Sequence, residues 1–198
     1  RLEISIGVAR GLHYLHSGTK RTIIHLNTAP MNIILDENWV PKLAFFGLSL
    51  KGPKFSEKVV KPIELECAVG TLGYIAPECL SGAPNATHKC DVYSFGALLF
   101  ELICGSSPHQ IMSRHKVSDI KEVLTLKKIG KAEAIIDQSL QGEIAPQCWE
   151  LYMEITEFCL SEDPNERPDM GDVEVQLEHL LQLQEEANAI QASHAFLI

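Results

Sequence analysis

Four long segments of the chain carry apolar residues at helical spacing, which predicts four helices. They are residues 2–16, 88–104, 147–160 and 170–187. The second is apolar nearly all round, so we expect it to lie buried at the centre of the protein. Gly18 should end the first helix, and the tail after residue 188 is weakly specified.

Short apolar runs between these helices are too brief to be helical. Residues 22–25 and 33–36 predict two strands around a loop that contains Pro and Asn, and residues 40–44 predict a third strand. Residues 47–75 are long and irregular, which inside a compact domain indicates a functional or disordered loop. Two shorter helical candidates are residues 116–129 and 131–137.

The composition is that of one soluble domain. The chain has 198 residues, of which 45% are apolar and 22% charged, and it is long enough to bury a core. A net charge of -9 argues against nucleic acid or an anionic membrane as the main partner. The most apolar stretch, residues 95–104, is too short to span a bilayer and contains Glu101, so we expect no membrane segment.

The start of the chain and its thiol and imidazole groups add further expectations. A helical pattern begins directly after Arg1 without a capping residue, which suggests a fragment of a longer protein. The six cysteines show no CxxC spacing, so we expect reduced and mostly buried thiols. His13 and His16 lie three residues apart, but packing and surface positions explain them better than a shared metal, and no metal site is expected.

Six short motifs follow one another along the chain. They are His25-Leu26-Asn27-Thr28-Ala29-Pro30-Met31-Asn32, Phe45-Phe46-Gly47, Gly70-Thr71-Leu72-Gly73-Tyr74, Ala76-Pro77-Glu78, Asp91-Val92-Tyr93-Ser94-Phe95-Gly96 and Glu166-Arg167-Pro168. In this order and spacing they resemble the motifs of protein kinases, from the catalytic loop through the D-F-G and A-P-E triplets. The segments ARGLHYLH, KCDVYSFG and ERPDMGDVEVQLEHLLQLQEEA are similar to plant receptor-like kinases, especially the malectin-like (FERONIA-type) branch, and the similarity runs from Arg1 to roughly Glu186.

The resemblance implies a mainly α fold, the C-terminal lobe of a kinase domain. Such a lobe is a helical bundle around a buried central helix, with a small strand pair carrying the catalytic loop. The kinase-like domain is expected over residues 1–187, with the catalytic loop at 25–32, the activation segment at 45–78 and a tail at 188–198. The N-terminal lobe, with its Gly-rich loop, strand Lys and partner Glu, is expected to be absent.

By the same resemblance, three catalytic positions carry residues that are unsuited to phosphoryl transfer. Asn27 replaces the Asp that accepts the substrate's proton, and an amide is not a base near neutral pH. Ala29 replaces a Lys that contacts the phosphate. Phe45 replaces the magnesium-binding Asp, which leaves the neutral Asn32 as the surviving family ligand. Leu26, in place of an Arg, weakens regulation by loop phosphorylation.

The positions that the family uses for structure are retained. They are His25, Phe46, Gly47, Glu78, Asp91 and Arg167. In the family, His25 and Phe46 form the lower half of a packed column that links the lobes, and Asp91 ties the catalytic loop to the central helix. Glu78 and Arg167 are expected to form a buried ion pair. A retained skeleton with lost catalytic charges favours a folded, non-catalytic role.

The activation segment offers four candidate phosphorylation sites for another kinase, Ser49, Ser56, Thr71 and Tyr74. ATP and Mg²⁺ serve the family, but no cofactor is expected for this chain. The expected partners are other proteins, among them kinases or receptor complexes. Self-association is expected through the surface that faces the N-terminal lobe in a whole kinase. The expected location is cytoplasmic, at the plasma membrane if the full-length protein keeps the family's membrane helix.

The leading hypothesis is a pseudokinase that acts in signalling by binding proteins. One alternative is an active ATP-dependent Ser/Thr kinase whose missing lobe lies upstream, and another is a truncated product without function. A Gly-rich loop and a strand Lys upstream in the full gene would make nucleotide binding plausible and would help to separate these hypotheses.

Overall fold

The computed structural model describes residues 1–54, 61–117, 120, 122–124 and 136–195. The helices of this part of the chain are α1 (Leu2–Ser17), α2 (Pro77–Leu80), α3 (His88–Cys104), α4 (Pro108–His115), α5 (Pro146–Cys159) and α6 (Met170–Ala195). The strands are β1 (Arg21–Ile24), β2 (Ile33–Leu35), β3 (Pro41–Leu43), β4 (Leu50–Lys54), β5 (Ile63–Glu64) and β6 (Asn85–Ala86). The fold is therefore mainly α, as the sequence predicts.

Helix α3 lies at the centre of the core. The side chain of Thr87 caps its N terminus by accepting a hydrogen bond from the N–H of Lys89, and Gly105, with φ of +67°, ends it. Its buried residues occupy all sides of the helix, which confirms the prediction of a central buried helix. A Cβ at Gly96 would lie 2.8 Å from the Cβ of Cys159, so the absence of a side chain there allows α5 to pack closely against α3.

The other long helices surround α3. Helix α1 packs along α6, and α5 contacts both α3 and α6. The apolar side chains of all four helices merge into one core cluster, with Phe95 and Phe100 among its largest fully buried members. Strand β1 and the loop that follows it are attached to one end of this bundle through contacts with α1 and α3.

The strands form antiparallel pairs rather than one sheet. Strand β1 pairs with β4, β2 pairs with β3, and β5 pairs with β6. The sequence predicts a small strand pair around the catalytic loop, whereas the structure gives each strand beside that loop its own partner. Residues 47–75, which we predicted to be irregular, contain β4 and β5. Strands of two to five residues are fixed by their pairing, because they are too short to show an alternating pattern.

The observed ends of the four long helices lie within one residue of the predicted ends, except for the C-terminal end of the last helix. Helix α6 continues to Ala195, so the predicted end at residue 187 is wrong. The sequence after residue 187 is rich in Ala and has no Gly or Pro that would stop a helix. Of the candidate over 116–129, residues 120 and 122–124 are helical, and the remainder from 125 onward lies outside the described residues. Residues 131–135 of the other short candidate also lie outside them.

Two further expectations concern membranes and thiols. In the described part of the chain, no helix combines the length and the apolarity that crossing a bilayer requires. All six cysteines are free thiols, and five of them are buried, as expected, whereas Cys67 is exposed.

Candidate functional site

The loop of residues 25–32 is fixed to the core by the buried carboxylate of Asp91, near the start of α3. The main-chain N–H groups of His25 and Leu26 donate to its two oxygens, each over 2.7 Å. On α1, His16 Nε2 lies 2.9 Å from Asp91 Oδ2. Asp91 is fully buried, so these partners replace the water it has lost. Sequence reasoning missed His16, since no motif marks it as the third partner.

His25 links the loop to the segment that follows β3. Its Nε2 donates to the main-chain oxygen of Ala44 over 3.0 Å, and its Nδ1 accepts from the N–H of Asn27 over 3.3 Å. The ring of Phe46 packs edge-on against the imidazole, with the ring centroids 4.9 Å apart. His25 is fully buried, whereas Phe46 is 45% exposed. The two rings are therefore in direct edge-to-face contact, and part of the Phe46 ring stays exposed.

Asn27 is the residue that the motif resemblance assigns to the position of the catalytic base. Its side-chain Oδ1 accepts a hydrogen bond from the hydroxyl of Thr71 over 2.7 Å. Its main-chain oxygen accepts from Asn32 Nδ2 over 2.8 Å and from the N–H of Ala29 over 3.0 Å. The sequence did not reveal Thr71 as the partner of this amide. The contact connects the catalytic loop to the end of the activation segment.

Ala29 and Asn32 complete the loop on its inner side. Ala29 is fully buried and belongs to the main apolar cluster, so the position contributes a methyl group and no charge. Asn32 is 5% exposed, and its main-chain oxygen accepts from the N–H of Ala44 over 2.9 Å. Asn32, which we expect to be the one surviving metal ligand of the family, is thus also a structural connection between the loop and β3.

Phe45 stands where the magnesium-binding Asp is expected. Its backbone is left-handed, with φ of +60° and ψ of +56°, and its side chain is 66% exposed. A bulky residue with positive φ is unusual. The neighbouring Gly47 has open space where a Cβ would point, so no close packing requires a glycine there. An apolar ring therefore projects toward solvent at the place where active members need an anionic oxygen.

Leu26, at the position where the resemblance expects an Arg, lies in a second apolar cluster. It is 5% exposed and packs with Ile24, Ala76 and Cys79, among others. Partly buried residues of the activation segment, including Val69, pack against the same cluster. Apolar contacts thus hold the segment against the loop.

The A-P-E glutamate, Glu78, forms an ion pair with Arg167. The guanidinium donates to both carboxylate oxygens, over 2.6 and 2.8 Å. The Arg167 side chain is fully buried and also donates to the main-chain oxygens of Lys89 and Ser161. Burial raises the pKa of Glu78, but the hydrogen bonds and charge of Arg167 outweigh it and lower that pKa below its ordinary value. The paired geometry agrees with the predicted buried ion pair.

The four candidate phosphorylation sites differ in their surroundings. Tyr74 is 5% exposed, and its hydroxyl donates to the carboxylate of Glu101 on α3. Burial and this carboxylate raise the pKa of the Tyr74 phenol strongly. The hydroxyl of Ser49 donates to the main-chain oxygen of His25 over 3.3 Å, and that of Thr71 is bonded to Asn27. Ser56 lies outside the described residues. A phosphate on Tyr74 requires the segment to open first.

Fold, motif order and loop geometry define the class of protein. The sequence model of the family described as "Protein kinase domain" matches residues 3–180, and the chain belongs to that family. Within it, the chain is similar to plant receptor-like kinases over nearly its whole length, as its motifs indicate.

Three relatives from Arabidopsis thaliana illustrate the similarity. The chain is 45% identical to receptor-like protein kinase ANXUR2 over 189 residues, which is 95% of this chain and 21% of that protein. It is 43% identical to receptor-like protein kinase FERONIA over 94% of this chain and 20% of that protein. It is 40% identical to receptor-like protein kinase THESEUS 1 over 96% of this chain and 22% of that protein. The chain therefore spans about a fifth of the length of these relatives.

Proposed function

We propose that this chain is a pseudokinase domain that acts in signalling by binding other proteins and does not transfer phosphate. The observation that carries the proposal is the lack of a carboxylate at two positions, Asn27 and Phe45, where the family requires one for proton transfer and one for magnesium. We assign the catalytic loop to residues 25–32 and the activation segment to residues 45–78 of a single kinase-type domain.

The amide of Asn27 supports the loss of general-base catalysis. An amide oxygen has no appreciable basicity near neutral pH, and here it already accepts a hydrogen bond from the hydroxyl of Thr71. The absence of a general base alone lowers a rate by roughly 10²–10⁴. The hydroxyl of a protein substrate would also have to displace Thr71 to reach the amide.

The surroundings of Ala29 and Phe45 remove two further contributions. Ala29 is buried within the core, so no cation stands at the position that contacts the transferring phosphate. Phe45 offers a phenyl ring where magnesium needs oxygen. The amide of Asn32 is neutral, and a single neutral oxygen is a poor site for a strongly hydrated cation. The general base, the cation that contacts the phosphate and the magnesium site are therefore each lost for a separate chemical reason.

The preserved skeleton supports a folded binding role. Two arrangements in this chain require specific geometry but serve no chemistry. They are the three contacts to Asp91 and the double hydrogen bond between Glu78 and Arg167. Their retention beside lost catalytic groups is what a scaffold requires. An active kinase within a longer chain is the alternative, and the intact anchoring of the loop by Asp91 is the observation in its favour.

The binding surface that we assign lies at residues 45–48. Phe45, Phe46 and Leu48 are 66%, 45% and 40% exposed, which gives three large apolar side chains within one short turn. Apolar groups clustered on a surface mark protein contacts more often than isolated ones do. We take the partners to be proteins, including kinases, receptor complexes or a second copy of this chain, on the cytoplasmic side of the membrane.

The magnesium dependence of nucleotide binding tests the proposal. Thermal unfolding of the chain is measured with ATP, with Mg²⁺ and with both. We expect affinity for ATP–Mg²⁺ no tighter than about 1 mM, roughly -4 kcal/mol, and no stabilisation by the pair beyond that by ATP alone. The same measurement is made on the matched variants Phe45→Asp and Phe45→Asn. Only the Asp variant restores an anionic oxygen at this position. A clear additional shift with Mg²⁺ in the unmodified chain contradicts the proposal.

A further inference from the structure

Two buried thiols meet at the junction of α2, β6 and α3, in the apolar cluster that also contains Leu26. Cys79 Sγ lies 3.1 Å from Cys90 Sγ, and the two residues are 2% and 1% exposed. Cys90 Sγ lies 3.2 Å from Glu78 Oε1. The main-chain oxygen of Asn85 lies 3.3 Å from Cys79 Sγ and 3.9 Å from Cys90 Sγ. Among the described residues, Glu78, Cys79 and Cys90 are the one set of three acidic, thiol or imidazole side chains whose ligand atoms approach so closely, within 4.8 Å.

Four of the six separations among these four atoms are close to those of a tetrahedral metal site. Bonds of about 2.3 Å from zinc to sulfur and about 2.1 Å to oxygen place neighbouring ligands roughly 3.4–3.8 Å apart. Four of the six separations among these atoms run from 3.1 to 3.9 Å, and the ligand atoms of Cys79 and Glu78 lie within 4.8 Å of each other. The two sulfur atoms would each need to move outward by about 0.3 Å to reach this geometry. Such a shift is within the reach of small side-chain rotations.

The surroundings act on the thiolate form of Cys90 in two directions: the start of α3 and the N–H of Thr87 favour it, whereas burial and the neighbouring Cys79 oppose it. Cys90 lies in the first turn of the 17-residue helix α3, where the helix dipole stabilises negative charge. The N–H of Thr87 donates to Cys90 Sγ over 3.5 Å, which is the kind of contact that orients a thiolate ligand. The guanidinium of Arg167 keeps Glu78 ionised.

The charges also balance. Two thiolates and one carboxylate carry three negative charges, and a divalent cation together with Arg167 carries three positive ones. Binding therefore releases the two thiol protons to solvent and leaves a neutral buried cluster. Without a metal, the hydrogen bond with Cys79 and burial raise the pKa of Cys90 strongly.

We propose that Cys79, Cys90, Glu78 and the main-chain oxygen of Asn85 form a structural site for a thiophilic divalent cation such as Zn²⁺. The pair of thiolates selects a soft or borderline ion over magnesium or calcium. A closed set of four protein ligands leaves no position for water, so the site is structural rather than catalytic. The bound ion joins the end of the activation segment to the start of α3 and stabilises that junction.

Cobalt titration tests the proposal directly, because tetrahedral Co²⁺ reports its ligands by absorption. The purified chain, reduced and freed of metal, is titrated with Co²⁺ and then with Zn²⁺. We expect intense visible d–d bands and thiolate-to-cobalt charge-transfer bands that saturate at one ion per chain and disappear when Zn²⁺ displaces the cobalt. Zn²⁺ should also raise the thermal unfolding temperature of the chain.

Cysteine variants show which thiols are responsible. The double substitution Cys79→Ala/Cys90→Ala should abolish the charge-transfer bands and the stabilisation by zinc. Two control substitutions should leave the charge-transfer bands and the stabilisation by zinc unchanged. They are Cys104→Ala, at a buried thiol near the other end of α3, and Cys67→Ser, at the exposed thiol. The absence of charge-transfer bands in the folded parent chain overturns the proposal, whether or not the double variant folds. Bands that persist in a folded double variant overturn it as well, because the ion would then be bound elsewhere.

Discussion

Phe45 has a backbone conformation that disfavours its own side chain. A left-handed conformation is disfavoured by about 1–2 kcal/mol for ordinary residues, whereas Asn and Asp adopt it readily. The exposed ring regains little from packing, since it is 66% exposed. We therefore expect Phe45→Asn to raise the free energy of unfolding by about 0.5–1 kcal/mol, measured by urea denaturation.

Leu48→Asn serves as the matched control for this change. Leu48 is exposed in the same turn, but it is not among the residues with positive φ. Asn should therefore give no gain in stability at this position. Equal stabilisation by both substitutions would indicate a general effect of removing apolar surface, and the backbone argument would be wrong.

At the scale of single residues, the sequence predicts the identity of the altered positions but not their contacts. The motif spacing assigns Asn27, Ala29 and Phe45 to catalytic positions, because spacing within a loop can be read from the chain itself. The hydrogen bond from Thr71 to Asn27 joins residues 44 positions apart, and the left-handed conformation of Phe45 depends on its packed neighbours. Neither leaves a local pattern that could be read in advance.

The cysteine site illustrates the same limit. Cys79 and Cys90 lie eleven positions apart with no repeated spacing, so the sequence gives no metal-binding pattern. They meet because β6 packs against α2 and leads directly into the start of α3. Only the assembled fold brings two thiols, a carboxylate and a carbonyl oxygen to one point.

At the scale of elements, the ion pair between Glu78 and Arg167 connects α2 with the segment before α6. Glu78→Ala would leave the fully buried guanidinium of Arg167 without its counter-charge. We expect a loss of about 3–5 kcal/mol in the free energy of unfolding at neutral pH. Urea denaturation in the presence of a metal chelator measures this loss without a contribution from a bound ion.

The pH dependence of this loss provides an independent check. The pKa of Glu78 in the folded chain is below its ordinary value of 4.5. Its contribution is therefore complete above the unfolded-state pKa and declines as the pH falls through the folded-state pKa. The difference between the parent chain and Glu78→Ala should shrink in acid. A difference that stays constant from neutral pH down to the acid range would show that the charge is not its cause.

The long helices were predictable because each shows its periodicity over many turns. The apolar character of residues 88–104 and the amphipathic spacing of residues 2–16 reflect burial against several neighbours. Helix α4 was missed, although Ser107 and Gln110 form a capping box and Pro108 occupies the first turn. The pairing of the short strands depends on contacts with distant segments and could not be inferred.

At the scale of the whole molecule, the apolar turn at residues 45–48 should mediate self-association. Sedimentation velocity at tens of micromolar reveals contacts with a dissociation constant of roughly 10 μM, about -7 kcal/mol. We expect the parent chain to associate and Phe45→Asp to be more monomeric, because a charge would be buried in the contact. Phe46 is a poor target for this test, since its ring also packs on His25.

Phe158→Asp is the control for a general effect of added charge. Phe158 is 53% exposed on α5, away from the turn. This change should leave association intact. A parent chain that is monomeric throughout the concentration range would exclude the turn as a self-association surface.

The proposed pseudokinase role requires the absence of phosphoryl transfer, which a transfer assay measures directly. The chain, and the longest natural product that contains it, are incubated with radiolabelled ATP, Mg²⁺ and a generic basic protein substrate. We predict no incorporation above the rate without protein, because base, metal ligand and phosphate clamp are replaced by Asn27, Phe45 and Ala29. Incorporation that increases with protein concentration and is abolished both by an ATP-site inhibitor and by Asn32→Ala would contradict it, because a contaminating kinase would not respond to that substitution.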